Sequence, residues 1–167
     1  MRSKTHPQFR IYTRDIGEED AETIATIASH TPHFTIPSNY IVWMLASTQG
    51  SLCRVAVTAN GHVLGYALTI KTVSSGEAFL WQIGVAGGLS SRTLNVFIEL
   101  LRSLRLEGAK LGVYRFYFTV PGSHMRLLLQ KAGASVGASV TPTGKAFSAS
   151  HDKTFETEYC MVFSFGD

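Results

Sequence analysis

The sequence predicts a single domain of the α/β class, an α+β arrangement with a mixed sheet and helices on both faces. Three observations carry this expectation. Strand-like runs at Leu52–Thr58 and Val63–Thr72 flank Asn60-Gly61, the strongest short hairpin signal available. Strand and helix patterns then alternate through the second half, as helical crossovers require. The 167 residues are 45% apolar and only 16% charged, enough to fill one core and too little charge for a disordered chain.

Phe9–Thr13 alternates apolar and polar residues and reads as the first strand. Gly17 breaks it. Glu18, Glu19 and Asp20 then load negative charge where a helix dipole favours it. Ala21, Ile24, Ala25, Ile27 and Ala28 form one apolar face of that helix, which Thr31-Pro32 ends. Ser38 is a good N-cap for a second short helix through Leu45. After the hairpin, Ala78–Val85 is an apolar strand with Trp81 and Gln82 in its middle, and Ala86–Ser91 is a loop of small residues. Arg92–Leu106 is the longest helix, with Leu94, Phe97, Ile98, Leu101 and Leu104 on one side and Gly108 and Gly112 bounding its exit. Tyr114–Val120 is a strand, and His124–Ala132 is a helix stopped by Gly133. Val136–Thr141 and Phe155–Phe165 are two late strands with a long loop between them. The expectation is one domain over 1–167, with 1–7 disordered.

Charge and composition exclude several function classes. Fifteen Lys and Arg against twelve Asp and Glu give +3, scattered rather than gathered in a basic stripe, so nucleic acid is not an expected partner. The longest near-continuous apolar run, Tyr40–Ala46, is far short of a membrane span. The N-terminal Met-Arg-Ser-Lys-Thr-His-Pro has no apolar stretch behind its charges, and the expected compartment is the cytoplasm. Cys53 and Cys160 match no metal or redox spacing and read as buried strand thiols.

Three segments, in this order, resemble the GNAT superfamily of acetyl-CoA-dependent N-acyltransferases: the strand pair around Val57–Tyr66, the strand Phe79–Val85, and the loop and helix Ala86–Leu104. The resemblance covers roughly Phe9 to Ala134. It implies a three-layer domain around a mixed, mainly antiparallel sheet, with acetyl-CoA as co-substrate. In that family the exposed backbone of the fourth strand grips the pantetheine arm, and the following loop and helix cradle the pyrophosphate. The nearest look is to the diaminobutyrate acetyltransferases of ectoine synthesis. Their Phe-x-Trp-Gln-x-x-Val stands here as Phe79, Trp81, Gln82 and Val85. Ser38 and Tyr40 match a Ser-x-Tyr in their second helix, and Thr119, Val120 and Ser123 match a Thr-Val-x-x-Ser after their fifth strand. The pyrophosphate loop departs from the family pattern: Gly88-Leu89-Ser90-Ser91-Arg92-Thr93 puts Gly88 at the leading basic position and Ser91 and Thr93 at the glycines. Family acidic residues fall on Thr35 and Tyr117, an Asn on His124, and the thiolate-protonating Tyr on Leu129.

A pyrophosphate site needs backbone N–H groups converging at the positive end of a helix, and small residues let the backbone approach. The resemblance therefore assigns the diphosphate to Gly88, Ser90, Ser91, Arg92 and Thr93, and Gly87 shares their small size. A cation at Arg92 opposes the helix dipole by ~0.3–1 kcal/mol, which suits a bound anion; the plainer reading is a solvated arginine. The pantetheine ligands implied are the backbones of Ile83, Gly84 and Val85, with Gly84 suited to a bulge; the alternative is an ordinary core strand. Tyr40, Trp81 and Tyr117 are candidate walls of the acceptor pocket, or simply packed aromatics.

An amine must lose a proton before it attacks a thioester, so a base is needed. Among the six histidines His124, opening the helix beside the expected thioester, is the candidate catalytic residue. Glu156 and Glu158 are remoter candidates acting through water. His30-x-x-His33 invites a metal but lacks a third ligand nearby, so no metal is expected. The expected activity is transfer of acetyl from acetyl-CoA to a primary amine of a small molecule, in a protein that forms a homodimer as many relatives do. Left open are a non-catalytic binding protein on the same scaffold, acylation of a protein or peptide amine, and a longer acyl-CoA.

Overall fold

The computed structural model describes residues 10–88, 90–151 and 154–166, with the main chain alone for 121–124, 147–151 and 154–159. The expected disorder over 1–7 lies outside the described residues. The strands are β1 (Tyr12–Asp15), β2 (Arg54–Val57), β3 (Val63–Lys71), β4 (Glu77–Val85), β5 (Arg115–Pro121), β6 (Ala138–His151) and β7 (Thr154–Phe165). The helices are α1 (Ala21–Ser29), α2 (Asn39–Gln49), α3 (Ser91–Lys110) and α4 (Gly122–Ser135). The strands form one sheet in the order β1-β2-β3-β4-β5-β7-β6, and only β4 and β5 run parallel.

Alternation along the strands divides the core into two apolar clusters on opposite faces. Ile24, Val42, Leu45, Val55, Tyr66 and Leu68 pack under α1 and α2. Ala56, Ala67, Leu80, Leu100, Phe116 and Phe163 pack under α3 and α4. Arg54, 7% exposed, is held between layers: its Nε donates to Ser103 Oγ at 2.8 Å and its Nη1 pairs with Asp15. Beside it, Arg14 makes a two-pronged pair with Asp20 at 2.7 and 2.8 Å, and Asp20 also accepts from the Gly17 N–H.

Several elements differ from the sequence expectation. The stretch expected as a long loop is strand up to His151: β6 runs to that residue and pairs with β7, with a register shift between Pro142 and Ala146. β6 is an edge strand, and an edge tolerates a proline that donates no hydrogen bond. Glycine does not stop α4 at Gly133. The helix continues to Ser135, and a Cβ at Gly133 would sit 2.6 Å from Val140 and 2.9 Å from Phe163, so the glycine lets α4 lie close on β6 and β7. Gly108 likewise sits inside α3, which extends to Lys110; the left-handed Gly112 (φ 70°) follows its end. The second helix runs on to Gln49, with Ser38 as its cap, accepting from the Ile41 N–H. The first strand lies slightly later than expected, at Tyr12–Asp15, because its register pairs Asp15 with Arg54.

Candidate functional site

The site begins where the two parallel strands part. β4 and β5 pair only at Glu77–Phe79 against Arg115–Tyr117, yet β4 continues to Val85 and β5 to Pro121. Beyond Phe79 and Tyr117 the sheet opens into a wedge, and a cavity of about 440 Å³ fills it. One wall is β4 from Leu80 through the turn at Gly88, and the facing wall is Phe118, Thr119 and Val120 of β5. Phe97 of α3 with Met125 and Leu129 of α4 close one side, and the end of α1 with the segment His30–Phe34 closes the other.

The backbone of β4 faces this gap at alternate residues. The Ala86 N–H bonds Leu64 O at 2.9 Å, and the antiparallel register pairs Gly65 with Val85, Tyr66 with Gly84 and Ala67 with Ile83. Hydrogen-bonded pairs alternate in such a ladder, so Gly84 faces β3 while the N–H and C=O groups of Ile83 and Val85 face away from it, toward the wedge.

A bulge sits at Trp81, not at Gly84: Leu68 pairs with Gln82 and Thr69 with Leu80, leaving Trp81 extra. It turns two consecutive side chains to the α1/α2 face. Trp81 packs against the cluster there and lines the cavity. Gln82 accepts from the Tyr66 O–H at 3.0 Å and donates through Nε2 to Thr35 O at 2.7 Å. It thereby ties the loop between α1 and α2 to the centre of the sheet. Gly84 contributes space, since a Cβ there would meet the Tyr66 ring at 2.7 Å.

After β4 the chain turns through Gly87 (φ 88°) and Gly88 (φ 73°), left-handed conformations that favour glycine. A capping box then starts α3. The Thr93 N–H bonds Ser90 Oγ at 3.2 Å and the Ser90 N–H bonds Thr93 Oγ1 at 3.0 Å. The Thr93 hydroxyl donates to Gly88 O. The amides and hydroxyls of Ser90 and Thr93 are thus spent on shaping the loop. The Ser91 amide, at the first helical position, has no intrahelical acceptor.

The structure gathers Trp81, Ile83, Gly84, Val85 and Gly88 around the cavity, with Ser90, Ser91, Arg92 and Thr93 at the start of the helix that follows. It does not bring Tyr40 or Tyr117 into the cavity wall. Tyr40 is exposed on α2, its ring 5.7 Å from that of Trp43. Tyr117 donates to Glu77 Oε1 at 3.2 Å, and partial burial, together with that carboxylate, pushes its phenol up. His124 is in the first turn of α4, one residue before Met125, and its side chain lies outside the described residues, as do those of Glu156 and Glu158. The wall also contains residues the sequence did not single out for it: His30, His33, Phe34, Phe97 and Phe118. Their positions follow from where α1 ends over the wedge, which no local pattern encodes. Among the described residues no group of three potential metal ligands gathers, around His30 and His33 or elsewhere. No described helix is long and apolar enough to cross a membrane.

No family profile and no curated protein matches the chain. Solved structures do. The diaminobutyrate acetyltransferase EctA from Paenibacillus lautus, in complex with its substrate L-2,4-diaminobutyric acid and coenzyme A, superposes with a TM-score of 0.77 at 21% identity, covering 96% of this chain and 99% of that one. The yncA structure from Salmonella typhimurium, with its cofactor acetyl-CoA, gives 0.70 at 15% identity over 94% and 95% of the two chains. The ribosomal-protein-S18-alanine N-acetyltransferase from Escherichia coli gives 0.65 at 20% identity over 95% and 96%. The chain therefore has the GNAT acetyltransferase fold.

Proposed function

We propose that this protein transfers the acetyl group of acetyl-CoA to a primary amine of a small molecule, by direct attack of the amine on the thioester. One observation carries the reading: β4 parts from β5 and turns the main chain of Ile83 and Val85 into a cavity of about 440 Å³. A pantetheine arm is an extended chain with two amides, and it would add to that edge as a short strand does. A β4 N–H aimed at the thioester oxygen is worth ~3 kcal/mol to the developing oxyanion. The diphosphate would rest on the turn at Gly88 and the first turn of α3, with the Ser91 amide and the Arg92 charge. Coenzyme A or acetyl-CoA accompanies two of the similar structures, EctA and yncA.

Size favours a small acceptor. The loop after α1 is tied down by Gln82 over the cavity, and Trp81 walls the same side. Acetyl-CoA at a hundred times its dissociation constant should add ~2.7 kcal/mol of stability, visible as a rise in melting temperature. Arg92→Glu should weaken acetyl-CoA binding in calorimetry while leaving the fold intact. No thermal shift with acetyl-CoA would sink the reading and leave a binding protein on an acetyltransferase scaffold. Transfer to peptides but not to free amines would move the acceptor to protein.

A further inference from the structure

His30 lies at the end of α1, in the wall of the cavity that also holds Trp81, Ile83 and Val85. Its Nδ1 is 2.8 Å from Thr26 O and 3.3 Å from Ser29 Oγ. A carbonyl oxygen only accepts, so Nδ1 must carry the hydrogen. That choice of tautomer leaves Nε2 with its lone pair. The ring is held by its own helix. The next loop places His33 in the same wall at φ 67°, a left-handed residue other than glycine. Such strain persists where the surroundings impose it, and it clusters at working sites.

We propose that His30 Nε2 is the base that takes the proton of the acceptor's ammonium group, an assignment that rests on the acetyl-transfer reading above. The ammonium proton passes to Nε2, and the freed nitrogen lone pair attacks the thioester carbon. The C–N bond forms, the C–S bond breaks, and the CoA thiolate takes the second amine proton. His30 then returns its proton to water. Orientation supports the role: an imidazole that gives its Nδ1–H to the Thr26 carbonyl of its own helix leaves Nε2 as the nitrogen it can offer a substrate, as an acceptor.

The test uses the full chain with ¹⁵N-labelled histidine. Long-range ¹H–¹⁵N spectra should show His30 as the Nδ1–H tautomer, against the Nε2–H form that free histidine prefers, and saturating acetyl-CoA should shift the His30 ring signals. Calorimetry on the same sample separates the two ideas. Absence of acetyl-CoA binding overturns the acetyl-transfer reading and this proposal with it. Binding accompanied by an Nε2–H tautomer, or by unmoved His30 signals, overturns the role of His30 alone. With L-2,4-diaminobutyrate and a set of simple primary amines as probe acceptors, His30→Ala should cut turnover roughly 10²–10⁴-fold with acetyl-CoA affinity unchanged. Added imidazole should restore part of it, which a structural defect would not allow. Turnover retained in His30→Ala but lost in His124→Asn would give the role to His124 and overturn the proposal.

Discussion

The Tyr66 hydroxyl donates to Gln82 Oε1 at 3.0 Å, while the Tyr66 ring occupies the space a side chain at Gly84 would need. Two neighbouring strands are thus locked in register beside the wedge. Gly84→Ala would place a Cβ 2.7 Å from the Tyr66 ring. Overpacking of this kind costs ~1–3 kcal/mol. The expected outcome is a lower midpoint in urea unfolding, together with weaker acetyl-CoA binding because β4 must shift. A variant as stable as the parent would show that the ring moves aside freely.

Gln82 joins that lock to the loop after α1 through Thr35 O, at 2.7 Å. Gln82→Leu strands the Tyr66 hydroxyl and releases the loop after α1. We expect a loss of ~1–3 kcal/mol from the unsatisfied buried group. In the acetyl-transfer reading KM for the amine should rise while acetyl-CoA affinity holds. Steady-state kinetics beside calorimetry would separate the two.

Thr69 is fully buried, and its hydroxyl has no hydrogen-bond partner among the described residues. Its neighbour Cys53 instead contacts the Thr69 main chain, at 3.3 Å to the carbonyl and 3.4 Å to the amide. Thr69→Val replaces an unsatisfied oxygen by a methyl of similar shape. Most core substitutions destabilise; this one should be neutral or stabilising by up to ~1 kcal/mol. Thermal unfolding decides it, and a clear fall in melting temperature would mean the hydroxyl finds a partner in solution.

Burial pushes the Cys53 thiol up to about 11, and burial pushes the Tyr66 phenol up as well. For both groups the folded-state value lies above the unfolded one. The stability that neutral Cys53 contributes is therefore complete below the unfolded thiol value of 9.0 and is lost as pH rises toward about 11, whereas that of Tyr66 begins to be lost only above the unfolded phenol value of 10.0. For Cys53 the loss is at most about 2–3 kcal/mol. Stability measured from pH 8 to 11 should fall, and Cys53→Ala should flatten part of the decline. Cys53 should also resist alkylation at pH 8 in the native protein.

Ser90 caps α3 and shapes the turn before it, through its exchange with Thr93. Ser90→Ala should cost ~1 kcal/mol in stability. Acetyl-CoA affinity should fall further than that loss explains, because the loop at Gly88 is held by the same network. Equal affinity in the variant would remove the loop from the site.

Local chemistry was sufficient for much of this molecule. The Asn60-Gly61 turn, the Ser38 cap and the apolar stripe of α3 each appear where the residues indicate, because hairpin, cap and helix depend on neighbours a few positions away. Gly133 and Gly108 do not end their helices, because their missing side chains make room for tertiary packing, Gly133 against Val140 and Phe163 and Gly108 against the Val113 carbonyl and Phe116. The first part of β6 is legible as a strand, while its later part reads as a loop because its pairing partner, β7, supplies the order its own polar residues do not. The candidate site divides in the same way. Trp81, Ile83 and Val85 are legible as a strand, but their place on one cavity wall arises where β4 and β5 separate, and His30 joins them only through the way α1 ends above that opening. A cavity is a relation among elements remote in sequence, so folding had to assemble it before its chemistry could be read.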